Sequence, residues 1–455
     1  MKSIKIIVIG IAMAFLLPLV HLFAQGGGPA ISVQADPAVS VQQKLIISAK
    51  AIELLKANYI FPERVPAIDS FLKVKFNRNG YDSFTTLPGF LQEFNKDLER
   101  QGHDHHLNVF FGPLRVKQIK KEAQLNGEKN DAVDKEWLDL LKYENFRLRK
   151  LERLEGNIGY FQFLNFTQLA PSKETIVSAM NFMHQSSALI LDLRENGGGS
   201  AETMNFMLSY FLKDSLQTGE WRYREGNRVE KTYIPSDPVV RKIPDTVPVF
   251  ILVSKRTASA AEGFSYIMQQ FKRAAIVGEQ TKGEGNPGKT FVLNDSLYMM
   301  IPTIESRNAV SGRGIDGIGV IPDIPVERSK AEDMALLEIN QLLAKNTSHP
   351  ERKRQYEWNI PALRAKLDPQ QLPIEQVKNI SGTYTENRKI IYENEGLYFE
   401  TSAGRFKMFY LGNNSFSVDG KEYRINFTDL NQPAAYFQAG WSDGGVEVVK
   451  KVKCL

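Results

Sequence analysis

The spacing of apolar residues divides the chain into three regions. From Val41 to about Leu98 apolar residues recur every three or four positions, which is the period of one helix face. From Gly156 to about Val326 short β-branched runs alternate with helical patterns, as in a parallel sheet covered by helices. Beyond residue 376 apolar and polar residues alternate between Gly and Asn turn signals. The pattern therefore predicts an α/β core between a small helical N-terminal domain and a small antiparallel β domain.

The strand signals are clearest in the α/β region, where each run of apolar residues ends at a turn signal. The predicted strands are Ile158–Leu164, Ala188–Arg194, Val247–Val253, Ala274–Val277 and Tyr298–Ile301. Outside this set, Leu107–Val116 is strand-like, Pro113–Lys150 is charged and predicted to be helical, and Ala331–Lys345 is predicted to be a helix that closes the core.

Changes in composition give the expected domain boundaries. We expect a signal peptide at 1–24, a linker at 25–40, a helical N-terminal domain with a histidine segment at 41–112, a charged helical connector at 113–155, the α/β core at 156–345, a polar linker at 346–375 and the β domain at 376–455. Aromatic residues at strand spacing in the β domain are expected to form its core, and a ligand-binding or partner-binding stripe is the alternative.

The first residues have the pattern of an export signal. Lys2 and Lys5 precede an apolar run from Ile6 to Val20, and Ala24 marks the expected cleavage point. A retained single-span anchor is the alternative, but the run is short and Pro18 interrupts it. We therefore expect an exported protein, periplasmic or extracellular, with no stable membrane insertion after cleavage.

Composition excludes several classes of function. The net charge is +5 over 455 residues with the basic residues dispersed, so nothing indicates nucleic-acid binding. The only cysteine, Cys454, stands at the C-terminus, which rules out an internal disulfide and a cysteine nucleophile.

A candidate nucleophile follows the strand Val247–Val253. A polar turn leads from this strand into a helix that begins near Ser259. A serine on such a turn has its hydroxyl at the mouth of a sheet, beside the free N–H groups of the helix start. The alternative is purely structural, because Ser259 and Glu262 have the spacing of a capping box.

A glycine-rich turn follows the strand Ala188–Arg194. Gly197, Gly198 and Gly199 would let the backbone approach a ligand closely and turn its amides outward. A phosphate cradle is a weak alternative because no Lys-Ser or Lys-Thr follows, and a plain tight turn is a further one. Asp192, inside the strand, is expected to be structural.

Taken together, LILDLRENGGGS, TASAAEGF and IVGEQTKGEGNPG resemble a superfamily of serine peptidases in order and spacing. This superfamily contains the tail-specific (carboxyl-terminal-processing) proteases, the tricorn protease core and interphotoreceptor retinoid-binding protein. The resemblance runs over Leu154–Val326 and implies a crotonase-like (ClpP/crotonase) core with Ser259 as nucleophile. It also implies that the oxyanion hole consists of the Ala260 amide and the amide of Gly198 or Gly199.

The general base decides the branch of the superfamily. Tail-specific proteases have a lysine in E-P-T-F-G-K-G, and the matching stretch Glu279–Gly285 has Glu284 at the lysine position. Lys282 is two residues away and is expected to point elsewhere, so a Ser–Lys dyad is not favoured. Gln101–Val109 instead resembles the histidine motif of the tricorn and retinoid-binding-protein branch, which implies His106 as the base. The His/Asp cluster could also bind a metal ion or be an incidental solvated group.

The acid that orients the base is implied by the same resemblance. The family commonly has Glu before a G-V-x-P-D-I segment, where this chain has Asp316, and an Asp-Gly turn residue is the alternative. The sequence thus predicts an exported serine peptidase that acts on peptides or proteins and needs no cofactor or metal. The alternative function is a non-catalytic carrier of an apolar ligand or peptide on the same fold. The oligomeric state and the peptide specificity stay open.

Overall fold

A computed structural model describes residues 36–124 and 131–452 of the chain. The predicted signal peptide, most of the linker at 25–40 and Cys454 lie outside these residues. The chain forms two compact units. One comprises the residues up to Glu152 with Tyr160–Gln185 and Leu189–Pro325, and the other comprises Arg153–Gly159, Ser186–Ala188 and Val326–Leu455. Within the described ranges, no helix combines the length and the apolar character needed to cross a membrane.

The N-terminal part of the first unit is mostly helical, as predicted. Its elements are α1 (Val41–Asn58), α2 (Val65–Asn77), α3 (Leu87–Gly102), β1 (Asn108–Phe111), α4 (Pro113–Gln124) and α5 (Asp131–Tyr143). α1 begins with a reciprocal cap, in which the Gln43 amide donates to the Ser40 hydroxyl and the Ser40 amide donates to the Gln43 side chain. α3 ends at His103, whose left-handed backbone (φ 49°) turns the chain toward β1.

The chain then alternates strands and helices. The elements are β2 (Leu148–Leu154), β3 (Ile158–Phe163), α6 (Leu169–Met183), β4 (Ala188–Asp192), α7 (Ala201–Leu208), β5 (Gln217–Tyr223), β6 (Val229–Tyr233), β7 (Val249–Val253), α8 (Ala260–Gln270), β8 (Ala275–Gly278), β9 (Gly288–Val292), β10 (Leu297–Pro302), β11 (Ile304–Asn308) and β12 (Ile324–Pro325). The main sheet has the order β12-β8-β7-β4-β3-β2, and two three-stranded sheets have the orders β1-β10-β9 and β11-β5-β6.

Two hydrophobic cores organise the first unit. One packs the inner face of the main sheet against α6, α7 and α8, with β4 and β7 buried along their whole length. The other joins the N-terminal helices to β10, because β1 pairs with β10 antiparallel and places Val109 opposite Met299. This pairing ties the histidine segment, which directly precedes β1, to β10.

The second unit ends in an antiparallel sheet, as predicted. Its elements are α9 (Ala331–Asn346), α10 (Pro350–Leu367), α11 (Ile374–Ile380), β13 (Gly382–Tyr384), β14 (Arg388–Glu393), β15 (Gly396–Thr401), β16 (Gly404–Gly412), β17 (Ser415–Val418), β18 (Tyr423–Asn426), β19 (Tyr436–Trp441) and β20 (Val446–Lys450). The strands pair in chain order, and a bridge from Tyr384 to Lys451 brings the two edges together. The turn between β14 and β15 has positive φ at both Asn394 and Glu395, as a two-residue hairpin requires.

Three sequence predictions need correction. The strand predicted over Leu107–Val116 ends at Phe111, because α4 begins at Pro113. The predicted helix Pro113–Lys150 gives way to β2 from Leu148, and this strand sits at the edge of the main sheet, where a charged alternating sequence is tolerated. The expected linker 346–375 contains α10, an 18-residue helix with a proline in its first turn.

Candidate active site

The turns that follow three neighbouring parallel strands lie at the same edge of the main sheet. β4 pairs with β7 and β7 pairs with β8, all parallel. The glycine turn follows β4, the Ser259 turn follows β7, and residues 279–285 follow β8. Because the carboxyl ends of parallel strands lie at the same edge, motifs far apart in sequence meet there.

Ser259 sits on a strained turn between β7 and α8. Its backbone has φ 54° and ψ −122°, a conformation that non-glycine residues rarely adopt and that costs about 1–3 kcal/mol. The turn is pinned by side chains, since the Thr257 hydroxyl donates to the Leu193 carbonyl at 2.8 Å and the Ser254 hydroxyl donates to the Arg194 carbonyl. Such a strand-to-helix turn exposes a nucleophilic serine at the top of a sheet.

The glycine turn packs directly against Ser259. A Cβ atom on Gly198 would lie 2.7 Å from Ser259 Cβ and 2.9 Å from the Ala260 amide nitrogen. The Ala258 amide donates to the Asn196 carbonyl at 3.1 Å and joins the two turns. The backbone of Gly198 has φ +99°, so this position requires a residue without a side chain.

Hydrogen bonding separates the candidate oxyanion donors. The Gly198 amide donates to Asn196 Oδ1 at 2.9 Å and is therefore occupied. The Gly199 and Ala260 amides donate to no acceptor among the described residues. Of the two glycines that the sequence left open, Gly199 is the one with an available N–H group.

Glu262 joins the nucleophile turn to the loop after β8. Its buried carboxylate accepts four hydrogen bonds, from the Ser259 amide (2.9 Å), the Glu284 amide (2.8 Å), the Gly283 amide (2.6 Å) and the Thr281 hydroxyl (2.5 Å). Burial raises the pKa of Glu262, and the four donors act against this rise. The capping-box spacing predicted only the bond to Ser259, because the other donors come from residues about 20 positions later in the chain.

His106 is buried between two carboxyl groups. Its Nδ1 atom lies 3.8 Å from Asp104 Oδ1 and 3.9 Å from Asp316 Oδ1. Nδ1 itself is buried and has no hydrogen-bond partner among the described residues. Burial lowers the pKa of His106, and the charges of Glu284 and Asp104 act in the opposite direction. A neutral imidazole is the form that can accept a proton.

The two acids differ in how they are held. Asp316 Oδ1 accepts the amides of Gly285 and Asn286, both at 3.2 Å, and burial together with the charge of Asp104 raises the pKa of Asp316 to about 8. Asp104 accepts from the His106 amide at 3.0 Å and from the Tyr59 hydroxyl at 3.0 Å, and burial raises its pKa as well. The sequence missed Asp104 as a candidate acid, although its position two residues before His106 was the available signal.

Glu284 and Lys282 also border the histidine. Glu284 is buried, pairs with Lys282 through Oε1, and has no described hydrogen-bond partner at Oε2. Both side chains act on the pKa of His106, Glu284 raising it and Lys282 lowering it. Position 284 thus belongs to the site although its lysine is replaced.

The structure does not bring every predicted partner into contact. No hydrogen bond joins Ser259 to His106 within the described residues. The two are linked through the loop after β8, since the Ser259 and Glu284 amides share Glu262 Oε2 while Gly285 holds Asp316. Asp192, as expected, is structural and pairs with Arg194 at 2.7 Å.

A metal ion is the other chemistry that the His106 cluster could support. Asp104, His106 and Asp316 each offer one ligand atom, and these atoms lie within 4.8 Å of one another. One nitrogen and two oxygens suit a divalent cation. Such an ion would bind His106 Nδ1, and Nδ1 could then no longer form a hydrogen bond to an orienting acid.

Part of the chain is similar in sequence to a known protein family. Residues 157–326 match peptidase family S41. The chain is 30% identical over 187 residues to carboxyl-terminal-processing peptidase 2, chloroplastic, of Arabidopsis thaliana, covering 39% of this chain and 33% of that protein. It is 29% identical over 185 residues to a carboxy-terminal-processing protease of Bartonella bacilliformis, covering 40% of this chain and 41% of that protein.

A solved structure shows weaker similarity. A putative peptidase from Parabacteroides merdae is 17% identical, with 65% of this chain and 92% of that chain covered and a TM-score of 0.43. The chain spans well under half the length of the two curated relatives, so the sequence match over the α/β region carries the assignment. That match and the three motifs within it make residues 157–326 of this chain similar in sequence to peptidase family S41.

Proposed function

We propose that this protein is an exported serine peptidase that cleaves peptide bonds through Ser259 and His106. The observation that carries the proposal is the packing of Gly198 against Ser259 and the Ala260 nitrogen; the amides of Ala260 and of the next residue in the glycine turn, Gly199, have no acceptor among the described residues. A developing oxyanion needs such fixed donors, and a capping serine alone does not. We also propose the finer fold assignment, a crotonase-like core.

In the proposed reaction Ser259 Oγ attacks the carbonyl carbon of the scissile bond while its proton passes to His106. The oxyanion is held by the Gly199 and Ala260 amides. The proton on His106 then goes to the leaving amine, and water hydrolyses the acyl-serine by the same steps. Binding of substrate must bring Ser259 and His106 into hydrogen-bond reach, directly or through one water, as is common for sites that tighten on binding.

Asp104 and Asp316 share protons with His106, and whichever of the two carboxyl groups is ionised stabilises the imidazolium that forms. Because both carboxyl groups lie near the same nitrogen, their protons titrate as a group together with that of the histidine. The scheme uses no cofactor. The names of the curated relatives favour proteins as substrates, and the leader-like N-terminal sequence favours export.

A serine-directed probe tests the proposal. The full chain should be labelled covalently by a fluorophosphonate, and Ser259→Ala should abolish both labelling and cleavage of a quenched peptide. Ser200→Ala is a matched control, because Ser200 caps α7 through the Thr203 amide at 3.3 Å and loses a cap of similar value, about 1 kcal/mol. It should still label.

Two results would sink the proposal. Labelling of Ser259→Ala at the wild-type rate would remove the nucleophile assignment. A folded wild-type chain that neither labels nor cleaves any peptide of a broad library would favour the carrier function instead.

A further inference from the structure

Ser259 lines a pocket formed by α7, β5, α8, β11 and the loop that follows β11. The pocket has about 550 Å³ of space, including the part open to solvent. Apolar side chains form much of its wall: Met204, Trp221, Tyr266, Ile267 and Ile315. We call it the Ser259 pocket. Its position at the nucleophile makes it a site for a substrate residue next to the scissile bond.

The charged residues of the Ser259 pocket are all basic. Its lining contains Arg307 and Arg313 and no aspartate or glutamate. Arg307 is already neutralised, because its guanidinium makes a two-point contact with Glu305 at 2.9 and 3.1 Å. Arg313 is exposed, and no carboxylate of the described residues forms an ion pair with it. The pocket therefore carries one positive charge without a counter-ion.

The loop that carries Arg313 is held in place. The Asn308 amide donates to the Arg313 carbonyl at 3.0 Å, and the Arg313 amide donates to the Ser311 hydroxyl at 3.3 Å. Ser311 in turn accepts from the Tyr266 hydroxyl at 2.9 Å. A charge on an anchored loop loses less freedom on binding than one on a mobile loop.

Asn308 adds an unused hydrogen-bond donor to the same lining. Its Oδ1 accepts from the Val310 amide at 2.8 Å and from the Ser311 amide at 3.2 Å, which fixes the orientation of the side-chain amide. Its Nδ2 is consequently a donor, and this buried atom has no partner among the described residues. A buried donor left unpaired is costly, so an acceptor from outside the chain would stabilise it.

We propose that the Ser259 pocket recognises a carboxylate on the substrate, with Arg313 as the specificity-determining residue. The expected source is the side chain of a glutamate or aspartate that supplies the scissile carbonyl, whose methylene groups would pack on the apolar wall. The α-carboxylate at the end of a substrate chain has the same chemistry and is the other source. This inference rests on the proposed peptidase activity and adds the class of substrate to it.

Peptides that differ at a single residue test the inference on the full chain. Quenched peptides with both ends blocked would carry Glu, Gln, Leu or Lys immediately before the scissile bond. We expect kcat/KM for the Glu peptide to exceed that for the Gln peptide about 10- to 100-fold, the usual value of a hydrogen bond to a charged group. The preference should shrink as salt is raised, because Arg313 is exposed.

Variants assign the preference to one side chain. Arg313→Met should abolish the preference for Glu, so that the ratio of kcat/KM between the Glu and Gln peptides falls to within about twofold of one. Arg313→Glu should instead favour the Lys peptide. Arg256→Met is the control, since Arg256 lies near the site but pairs with Glu195 at 2.8 Å and does not line the pocket. It should keep the preference for Glu.

A second set of peptides separates the two carboxylate sources. These have a neutral residue before the scissile bond and a chain end, free or amidated, one or two residues beyond it. If peptides with a free end have a higher kcat/KM than amidated ones, and this difference disappears in Arg313→Met, Arg313 recognises an α-carboxylate. If the chain cleaves the Gln peptide through Ser259 but neither carboxylate raises kcat/KM, the carboxylate inference is wrong and the proposed peptidase activity stands. The inference is also wrong if a carboxylate raises kcat/KM equally in the wild type and in Arg313→Met. Failure of all cleavage and all labelling overturns the proposed function itself.

Discussion

Replacing Gly198 by alanine tests whether the glycine turn acts on the reacting carbonyl. The new Cβ would lie 2.7 Å from Ser259 Cβ, 2.8 Å from the Ala258 carbonyl oxygen and 2.9 Å from the Ala260 nitrogen. Ordinary contacts between such atoms are about 3.5–4.0 Å, so the two turns must separate by roughly 0.6–1 Å. None of these three atoms is the end of a flexible side chain, and the turns themselves must therefore move.

The expected loss of activity follows from that movement. A misplacement of about 1 Å costs about 10²-fold in rate, and removal of one oxyanion donor costs about 10²–10³-fold in kcat. Stability should fall less, since a residue forced into positive φ costs about 1–3 kcal/mol. In a domain of this size each kcal/mol lowers the unfolding midpoint by about 2–4 °C. Gly198→Ala should thus be folded at assay temperature and at least about 100-fold slower.

Gly197→Ala is the matched control, one residue earlier in the same turn. No described atom lies within 4 Å of a Cβ at Gly197. Its activity should stay near wild type and its stability should change by no more than about 0.5 kcal/mol. The measurements are kcat on a quenched peptide, the rate of fluorophosphonate labelling and the thermal midpoint. Equal kcat values for Gly198→Ala and Gly197→Ala would refute the assigned role of the turn. The role would also be refuted if kcat falls in both variants only in proportion to the fall in the thermal midpoint.

Three further predictions follow from the site and from the second unit. Since the pKa of Asp316 is raised from 3.8 to about 8, the native state retains a proton that the unfolded state releases, so the free energy of unfolding should fall as pH rises through this interval. Asp316→Asn should flatten that fall in denaturant titrations, and an unchanged slope would contradict the prediction. Glu284→Gln should lower the pKa of His106 and Lys282→Met should raise it, as read from the imidazole signals by NMR; shifts in the same direction would show that neither charge acts on the histidine. A chain ending near Glu375 lacks β13–β20 but retains the whole first unit, so it should keep Ser259-dependent cleavage of a short peptide; inactivity of a soluble truncated chain would make the β domain part of the site.

Local sequence predicted the turns of the site because each turn is encoded by consecutive residues. A β-branched run, a polar turn and a capped helix specify the Ser259 element within about 20 positions, and the glycine turn is equally compact. The choice between Gly198 and Gly199 was not predictable. It depends on Asn196, whose side chain takes the first of the two amides, and this contact is visible only in three dimensions.

Residues joined by distant pairing were harder to predict. Asp104 and Asp316 meet at His106 because β1 pairs with β10, which lies about 190 residues later in the chain. The hairpin β5–β6 and its partner β11, which frame the Ser259 pocket, were also missed. The polar sequence of α10 resembled a linker, because a helix with few apolar residues lacks the periodic stripe that marks buried helices.

The carboxylate of Glu262 also sets when the site comes into existence during folding. Its four donors are the Ser259 amide, just before α8, and three groups of residues 281–284, so the helix start and the later loop have their final positions only when both are in place. Until then a buried carboxylate would lack partners, which is strongly unfavourable. The Ser259 turn and residues 281–284 should therefore reach their final positions together in one cooperative step. In a chain that is still partly folded, the Ser259 turn would then lack its final geometry, so labelling of Ser259 by a fluorophosphonate should begin only after residues 281–284 have folded.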